Sequence, residues 1–160
     1  MGKKIVHHMD FDALANVNKA VVGLTGEPHG YAEADKRKLA SLIEEVEHRA
    51  DNQDFEEAVP EKASLLIFKV ASGQYFRAGN KRTALVAGLA FLLKNGYAID
   101  ITNSELVSTV DRVGIAAASL DDLYAVMGEL KSKSKTDRKG WDGLTKRVVE
   151  ANKNFLTRLA

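Results

Sequence analysis

Residues 73–96 read GQYFRAGNKRTALVAGLAFLLKNG, a short loop followed by a long apolar run. From about Asn80 to Lys94 this run is apolar on nearly every side of a helix, and Asn95-Gly96 is a typical helix stop. A helix that is hydrophobic all round must be buried among other elements. We therefore predict that this segment is the central helix of a bundle.

Three segments precede this run. We predict that each is an amphipathic helix, because its apolar residues recur at three- and four-residue steps. We place Pro60 in the first turn of the third segment, where its missing N–H costs nothing, and Gly73 at its end as a left-handed cap. Residues 24–31 separate the first two segments and have the glycine and proline content of a loop. The apolar positions are Phe11, Leu14, Val17 and Val21 in the first segment, Leu39, Leu42, Ile43 and Val46 in the second, and Leu65, Leu66, Phe68 and Val70 in the third.

Two more helices are predicted directly after the central run. Residues 97–101 alternate apolar and polar, as a short extended link would. Thr102 with Glu105, and Ser119 with Asp122, are capping-box pairs that predict the starts of a fifth and a sixth helix.

The last thirty residues form a separate part of the chain. Residues 131–139 are polar and predict a linker, and the apolar spacing from Trp141 to Leu159 predicts a final helix that folds back. We therefore predict an all-α fold with a helical domain over residues 1–130. Residues 131–160 then supply a basic linker and an extra C-terminal helix that packs on this domain or extends from it.

Composition limits the class of protein. With 160 residues, 45% of them hydrophobic and 28% charged, the chain suits one globular domain. It has no cysteine, so it offers neither disulfides nor zinc thiolates. No apolar run reaches the roughly 20 residues that span a bilayer, and no apolar stretch follows the basic N-terminus as in a secretory signal. We expect a cytoplasmic protein that does not engage a membrane.

Charge is distributed unevenly along the chain. Residues 131–160 contain nine Lys or Arg and three Asp or Glu, a balance of +6, whereas residues 1–130 balance to −5. The basic tail is either a solvated surface or an arm that docks on an acidic surface or on nucleic acid. We do not expect nucleic acid to be the partner.

The loop at residues 73–79 leads into the N-terminus of the predicted central helix. Such a terminus presents free backbone N–H groups and the positive end of the helix dipole, which attract anions. Gly79 permits close backbone approach, Asn80 can cap the helix, and Lys81 and Arg82 add two positive charges that a bound anion would offset. The residues alone leave two interpretations open, an anion site and a pair of solvated cations.

A longer motif joins this loop to the helix. It reads Phe76-x-x-Gly79-Asn80-Lys81-Arg82-Thr83-Ala84-Leu85, and the apolar helix and Asn95-Gly96 follow it. The combination resembles the signature loop and central helix of the Fic/Doc (filamentation / death-on-curing) family, and the likeness covers roughly residues 10–130. It implies a Fic-like helical bundle. At the positions of Lys81 and Leu85, the motif resembles that of the death-on-curing branch.

The resemblance also implies an activity. Members transfer AMP from ATP, or in the death-on-curing type the terminal phosphate, to a hydroxyl of a target protein. The implied phosphate-binding residues are Gly79, Asn80, Lys81 and Arg82, and Phe76 is the implied buried anchor. ATP is the implied cofactor, and the implied partners are a target protein and an antitoxin-like protein.

Two positions depart from the family motif. Gln74 replaces the histidine that takes the proton from the target hydroxyl, and Ala78 replaces the acidic residue that holds magnesium. Glutamine does not accept a proton near neutral pH, so general-base help of roughly 10²–10⁴-fold is lost. Without the carboxylate, Mg²⁺ keeps only substrate phosphates and water as ligands, so we do not expect the site to hold it firmly. His29 is the candidate replacement base.

Three functions follow from these residues. The first, which we favour, is a degenerate family member that binds a nucleotide, a phosphate or a partner protein without catalysis. The second is an active nucleotidyl- or phosphotransferase with altered chemistry. The third is a helical interaction protein whose loop binds nothing.

Overall fold

The computed structural model describes residues 4–97, 104–129, 140–157 and 159. These residues form eight helices and no β-strand, so the predicted all-α fold class is confirmed. Within these ranges, no helix is both long enough and apolar enough to cross a bilayer. In chain order the helices are α1 (Phe11–Val22), α2 (Glu33–His48), α3 (Phe55–Gly73), α4 (Asn80–Lys94), α5 (Ser104–Gly114), α6 (Leu120–Glu129), α7 (Trp141–Ala151) and α8 (Lys153–Leu156).

Helix α4 lies at the centre of the bundle, and it begins and ends where the sequence predicts. It contacts α1, α3, α5 and α7, which explains why nearly all of its side chains are apolar. At its C-terminal end the Asn95 side chain donates to the Phe91 carbonyl at 2.8 Å, and Gly96 follows with a φ of 89°. The predicted stop is therefore confirmed.

The start of α3 differs from the prediction. The helix begins at Phe55, because the Asp54 carbonyl already accepts the N–H groups of residues 57 and 58, so Pro60 lies inside the helix and not in its first turn. A proline there leaves the Glu56 carbonyl without its intrahelical donor. The Tyr97 hydroxyl donates to that carbonyl at 3.4 Å, so another part of the chain replaces the lost hydrogen bond.

The C-terminal end of α3 also differs from the prediction. Gly73 is the last helical residue, and the left-handed conformation belongs to Gln74, with a φ of 54° and a ψ of 39°. The Tyr75 ring packs closely over Gly73, and a Cβ on Gly73 would lie 2.3 Å from Tyr75 Cε2, so the ring would have to shift. The prediction of a left-handed Gly73 is therefore wrong, and the next residue makes the turn.

The capping pair before α6 is confirmed. The Ser119 N–H donates to Asp122 Oδ2 at 2.8 Å, and the Asp122 N–H donates to Ser119 Oγ at 3.2 Å. The predicted extended link at residues 98–101, the capping role of Thr102 and the linker at residues 131–139 lie outside the described residues.

The C-terminal part of the chain packs on the bundle through α7, which contacts α4 and α1. The predicted C-terminal helix is present as α7, but it ends at Ala151, and Asn152 separates it from the short helix α8. Asn152 has a φ of −133°, and its side chain donates to the Val148 carbonyl at 2.7 Å. The break ends α7 before α8 begins at Lys153.

Substitution of Ala90 by leucine should lower the free energy of unfolding by about 1–3 kcal/mol. Ala90 is fully buried in α4, so the added methylenes have no space. Chemical denaturation followed by circular dichroism measures the change. Ala34→Leu is the matched control, because Ala34 is exposed in α2. Wild-type stability of Ala90→Leu would contradict the central position of α4.

Candidate functional site

The loop between α3 and α4 lines a cleft of about 420 Å³. Gly79 is the N-cap of α4 and has a φ of 71°, a left-handed conformation that favours glycine. A Cβ at this position would also lie 2.9 Å from Val22 Cγ1. Glycine is therefore required both by backbone conformation and by the close approach of α1. The cleft is lined by Thr25, Glu27, Gln74, Arg77, Ala78, Gly79, Asn80, Lys81, Arg82 and Thr157.

The backbone at the start of α4 has the donors that an anion needs. The Thr83 N–H donates to the Gly79 carbonyl at 2.8 Å, and this is the first hydrogen bond of the helix. The N–H groups of residues 80–82 precede it and have no intrahelical acceptor. They lie at the positive end of the helix dipole, so this end of the cleft favours negative charge.

Asn80 holds the shape of the loop. Its Oδ1 accepts the Phe76 N–H at 3.0 Å, and its Nδ2 donates to the Phe76 carbonyl at 3.0 Å and to Gln74 Oε1 at 3.4 Å. The prediction that Asn80 caps the helix is wrong, because Gly79 occupies the N-cap and Asn80 is the first helical residue. Phe76 is buried, as predicted for the anchor of the loop.

Arg82 is the buried cation of the cleft, with only 5% of its side chain exposed. Its Nη2 donates to Glu27 Oε1, and its Nη1 donates to Thr25 Oγ1 at 3.2 Å. Its Nε is buried and has no hydrogen-bond partner among the described residues. A buried N–H group of a guanidinium that lacks an acceptor is costly.

Lys81 is directed differently from Arg82. Its ammonium lies 2.7 Å from Asp111 Oδ1 of α5, and its aliphatic chain packs on Gly114, where a Cβ would approach Lys81 Cε to 2.6 Å. The two cations predicted to act together therefore have separate carboxylate partners. A ligand in the cleft would meet Arg82 more directly than Lys81.

Glu27 belongs to the loop between α1 and α2, and it lines the cleft beside its partner Arg82. The hydrogen bond from Thr25 and the hydrogen bond from Arg82 lower the pKa of the Glu27 carboxyl below its usual value. Glu27 is therefore ionised at neutral pH. Its negative charge competes with any anion that approaches Arg82.

Asn18 connects the three parts of the site, a role that the sequence analysis did not identify. Its Nδ2 donates to the Ala78 carbonyl at 2.9 Å and to Thr83 Oγ1 at 3.1 Å, and its Oδ1 accepts the Gly30 N–H at 3.1 Å. The available signal was a polar residue four positions after Leu14, on the apolar face of α1.

The two departures from the family motif both lie in the cleft. Gln74 is exposed, and its Nε2 donates to the Ala71 carbonyl at 3.0 Å, which helps to end α3. Ala78 lines the cleft beside it. His29 is exposed and is not among the described residues that line the cleft. Sequence reasoning also missed Arg77, whose position between motif residues offered no signal.

Mg²⁺ does not fit the side chains of this cleft. Ala78 offers no side-chain oxygen, and the lining carboxylate of Glu27 already accepts from Thr25 and Arg82. Among the residues that the structure describes, no three His, Cys, Asp or Glu side chains are grouped to hold a metal ion. The Arg82 Nε remains without a hydrogen-bond acceptor among the described residues.

The comparisons with known proteins agree with this architecture. Residues 9–92, slightly more than half of the chain, match the model of the Fic/DOC family. No curated protein matches the chain. The matched range contains α1, α2, α3, the loop and most of α4, whereas Thr157 lies outside it. The chain belongs to the Fic/DOC family.

Proposed function

We propose that this protein binds the phosphate of a nucleotide in the cleft at the N-terminus of α4 and does not carry out the transfer reaction of the Fic/DOC family. The observation that carries the proposal is the buried Arg82 Nε, which has no acceptor among the described residues and belongs to the first turn of the helix, where the leading N–H groups have no intrahelical acceptor. A phosphate oxygen would satisfy both kinds of donor.

The absence of transfer follows from the side chains in the cleft. A base must accept a proton, and the Gln74 amide does not do so near neutral pH. Ala78 supplies no oxygen to a metal ion. We also assign the chain to the death-on-curing branch on Lys81 and Leu85. Leu85 is fully buried in α4, and its apolar side chain adds no positive charge to the cleft.

Calorimetric titration with ATP, ADP, AMP and inorganic phosphate, with and without Mg²⁺, tests the proposal. Saturable binding that weakens with added salt and does not require Mg²⁺ is expected. The weakening follows because added salt shortens the distance over which charges interact, which is about 8–10 Å at ordinary ionic strength. No binding of any of these ligands would refute the proposal and favour a helical interaction protein. Transfer of label from ATP to a protein in a lysate would instead favour an active transferase.

Glu27→Gln should strengthen phosphate binding at pH 7 by about three- to tenfold, because it removes the negative charge that competes for Arg82 and keeps the side-chain shape. The same titration measures this effect. Glu33→Gln is the control, because Glu33 is exposed at the start of α2. Unchanged affinity in Glu27→Gln would show that Glu27 does not compete with the ligand.

The same variant tests the pH dependence of stability. The pKa of Glu27 is lowered in the folded protein, so its interactions stabilise the fold above the usual glutamate pKa. This contribution is lost as the pH falls through the lowered value. Thermal melts over this acidic range should show the loss in the wild type and lack that step in Glu27→Gln.

A further inference from the structure

The C-terminal end of the chain contributes a side chain to the cleft. Thr157 lines it together with the loop, the start of α4 and the α1–α2 loop. Thr157 lies 65 residues beyond the end of the range that matches the Fic/DOC family, which ends at residue 92. The cleft of this chain therefore includes a wall that the matched range does not supply.

The fold holds this segment in place. Helix α7 packs on α4 and α1, and the break at Asn152 separates it from α8. Leu156 and Leu159 are buried on either side of Thr157, with exposures of 0% and 7%. The Thr157 side chain itself is exposed, so the two leucines anchor the segment while the threonine remains available at the cleft.

The hydroxyl of Thr157 is held only by an exposed hydrogen bond among the described residues. It donates to the Asn154 carbonyl at 3.0 Å, within an exposed turn where water can replace it. A hydroxyl rotates freely and can donate to a phosphate oxygen, while its own lone pairs accept from other groups. The segment therefore presents a neutral donor to a cleft whose other donors include the Arg82 guanidinium and the α4 backbone.

We propose that Thr157 contacts the ligand directly and donates its hydroxyl proton to an oxygen of the bound phosphate-bearing molecule. This inference rests on the proposed function of the cleft. It makes the C-terminal segment part of the binding site, so the affinity for the ligand depends on a residue outside the family's matched range.

Titration of the full chain with ADP tests this inference. Thr157→Val, which keeps the shape and removes the hydroxyl, should weaken binding by about three- to tenfold. Thr157→Ser should restore wild-type affinity, because the hydroxyl returns. Asn154→Ala is the matched control, because this exposed residue of the same segment does not line the cleft. All three variants should melt at the wild-type temperature.

Arg82→Ala, measured in the same series, separates the two proposals. Loss of ADP binding in Arg82→Ala with wild-type affinity in Thr157→Val would overturn only the role of Thr157. A loss in Thr157→Val that serine does not restore would also overturn it. No binding of ADP to the wild type, or equal binding to wild type and Arg82→Ala, would overturn the proposed function and this inference together.

Discussion

Arg82→Ala should weaken the binding of ADP or inorganic phosphate by about 100-fold, or about 2.7 kcal/mol. Arg82 is buried, its Nη2 is paired with Glu27, and its Nε has no acceptor among the described residues, so we expect a ligand to interact with it at close range in competition with Glu27. A charge that is removed from solvent interacts with an anion more strongly than an exposed one. Isothermal titration calorimetry measures the two affinities directly.

Arg49→Ala is the matched control for this loss. Arg49 also pairs with a glutamate, with its Nε 2.7 Å from Glu61 Oε1, but it does not line the cleft. The control should bind as the wild type does. Lys81→Ala should have a smaller effect than Arg82→Ala, because Asp111 already engages the Lys81 ammonium.

A folding check must accompany the Arg82 experiment, because the substitution also leaves Glu27 without its partner. Circular dichroism and a cooperative melt establish that the variant is folded. Equal phosphate affinity in a folded Arg82→Ala protein and in the wild type would refute the anion site. If Arg82→Ala loses phosphate binding only because it is unfolded, its circular dichroism spectrum will lack the helical signal.

The second large effect concerns catalysis. Gln74→His combined with Ala78→Asp should produce transfer of label from ATP to protein, where the wild type and each single variant show little. A positioned base contributes roughly 10²–10⁴-fold, and a carboxylate supplies the kind of ligand that Mg²⁺ prefers. The two changes should be strongly non-additive, because each one alone leaves the other defect in place.

The backbone of the site permits both changes. Gln74 has a left-handed conformation, which histidine adopts more readily than most other residues do. Its Oε1 accepts from Asn80 Nδ2 at 3.4 Å, and an imidazole nitrogen could accept from the same group. Ala78 lines the cleft, and its carbonyl accepts from Asn18 Nδ2. An aspartate at this position would therefore add a carboxylate to the cleft lining.

The position of the label identifies the reaction. Transfer from α-labelled ATP means that AMP is moved, and transfer only from γ-labelled ATP means phosphorylation. Equal labelling by the wild type and the double variant would show that the site is not disabled, and His29→Ala would then be the first variant to test. An inert double variant that still binds nucleotide would show that the cleft differs from an active one at further positions.

The helices themselves were largely predictable from the sequence, because their signals are local. The all-round apolar pattern of residues 80–94 placed α4 correctly, with its stop at Asn95-Gly96. The reciprocal pair of Ser119 and Asp122 located the start of α6, since the two residues are only three positions apart. The family motif likewise lies in one continuous stretch, so the sequence identified the loop and its two departures.

Local patterns misplaced the features that depend on packing with distant residues. Pro60 suggested a helix start, but the helix begins before it. The proline leaves the Glu56 carbonyl without its intrahelical donor, and Tyr97, 37 positions after Pro60, supplies a donor instead. Gly73 suggested a left-handed cap, but Gly73 lies under the Tyr75 ring as the last helical residue, and Gln74 makes the turn.

By itself, then, the sequence determined an all-α bundle, the bounds of its central helix and the loop that carries the family motif. The tertiary structure alone decided what surrounds that loop. Arg82 meets Glu27 across 55 positions, Lys81 meets Asp111 across 30, and Thr157 reaches the cleft from the C-terminal end. The physical reason is that helix periodicity and capping depend on neighbours within a few turns, whereas ion pairs and cleft walls depend on which helices pack together.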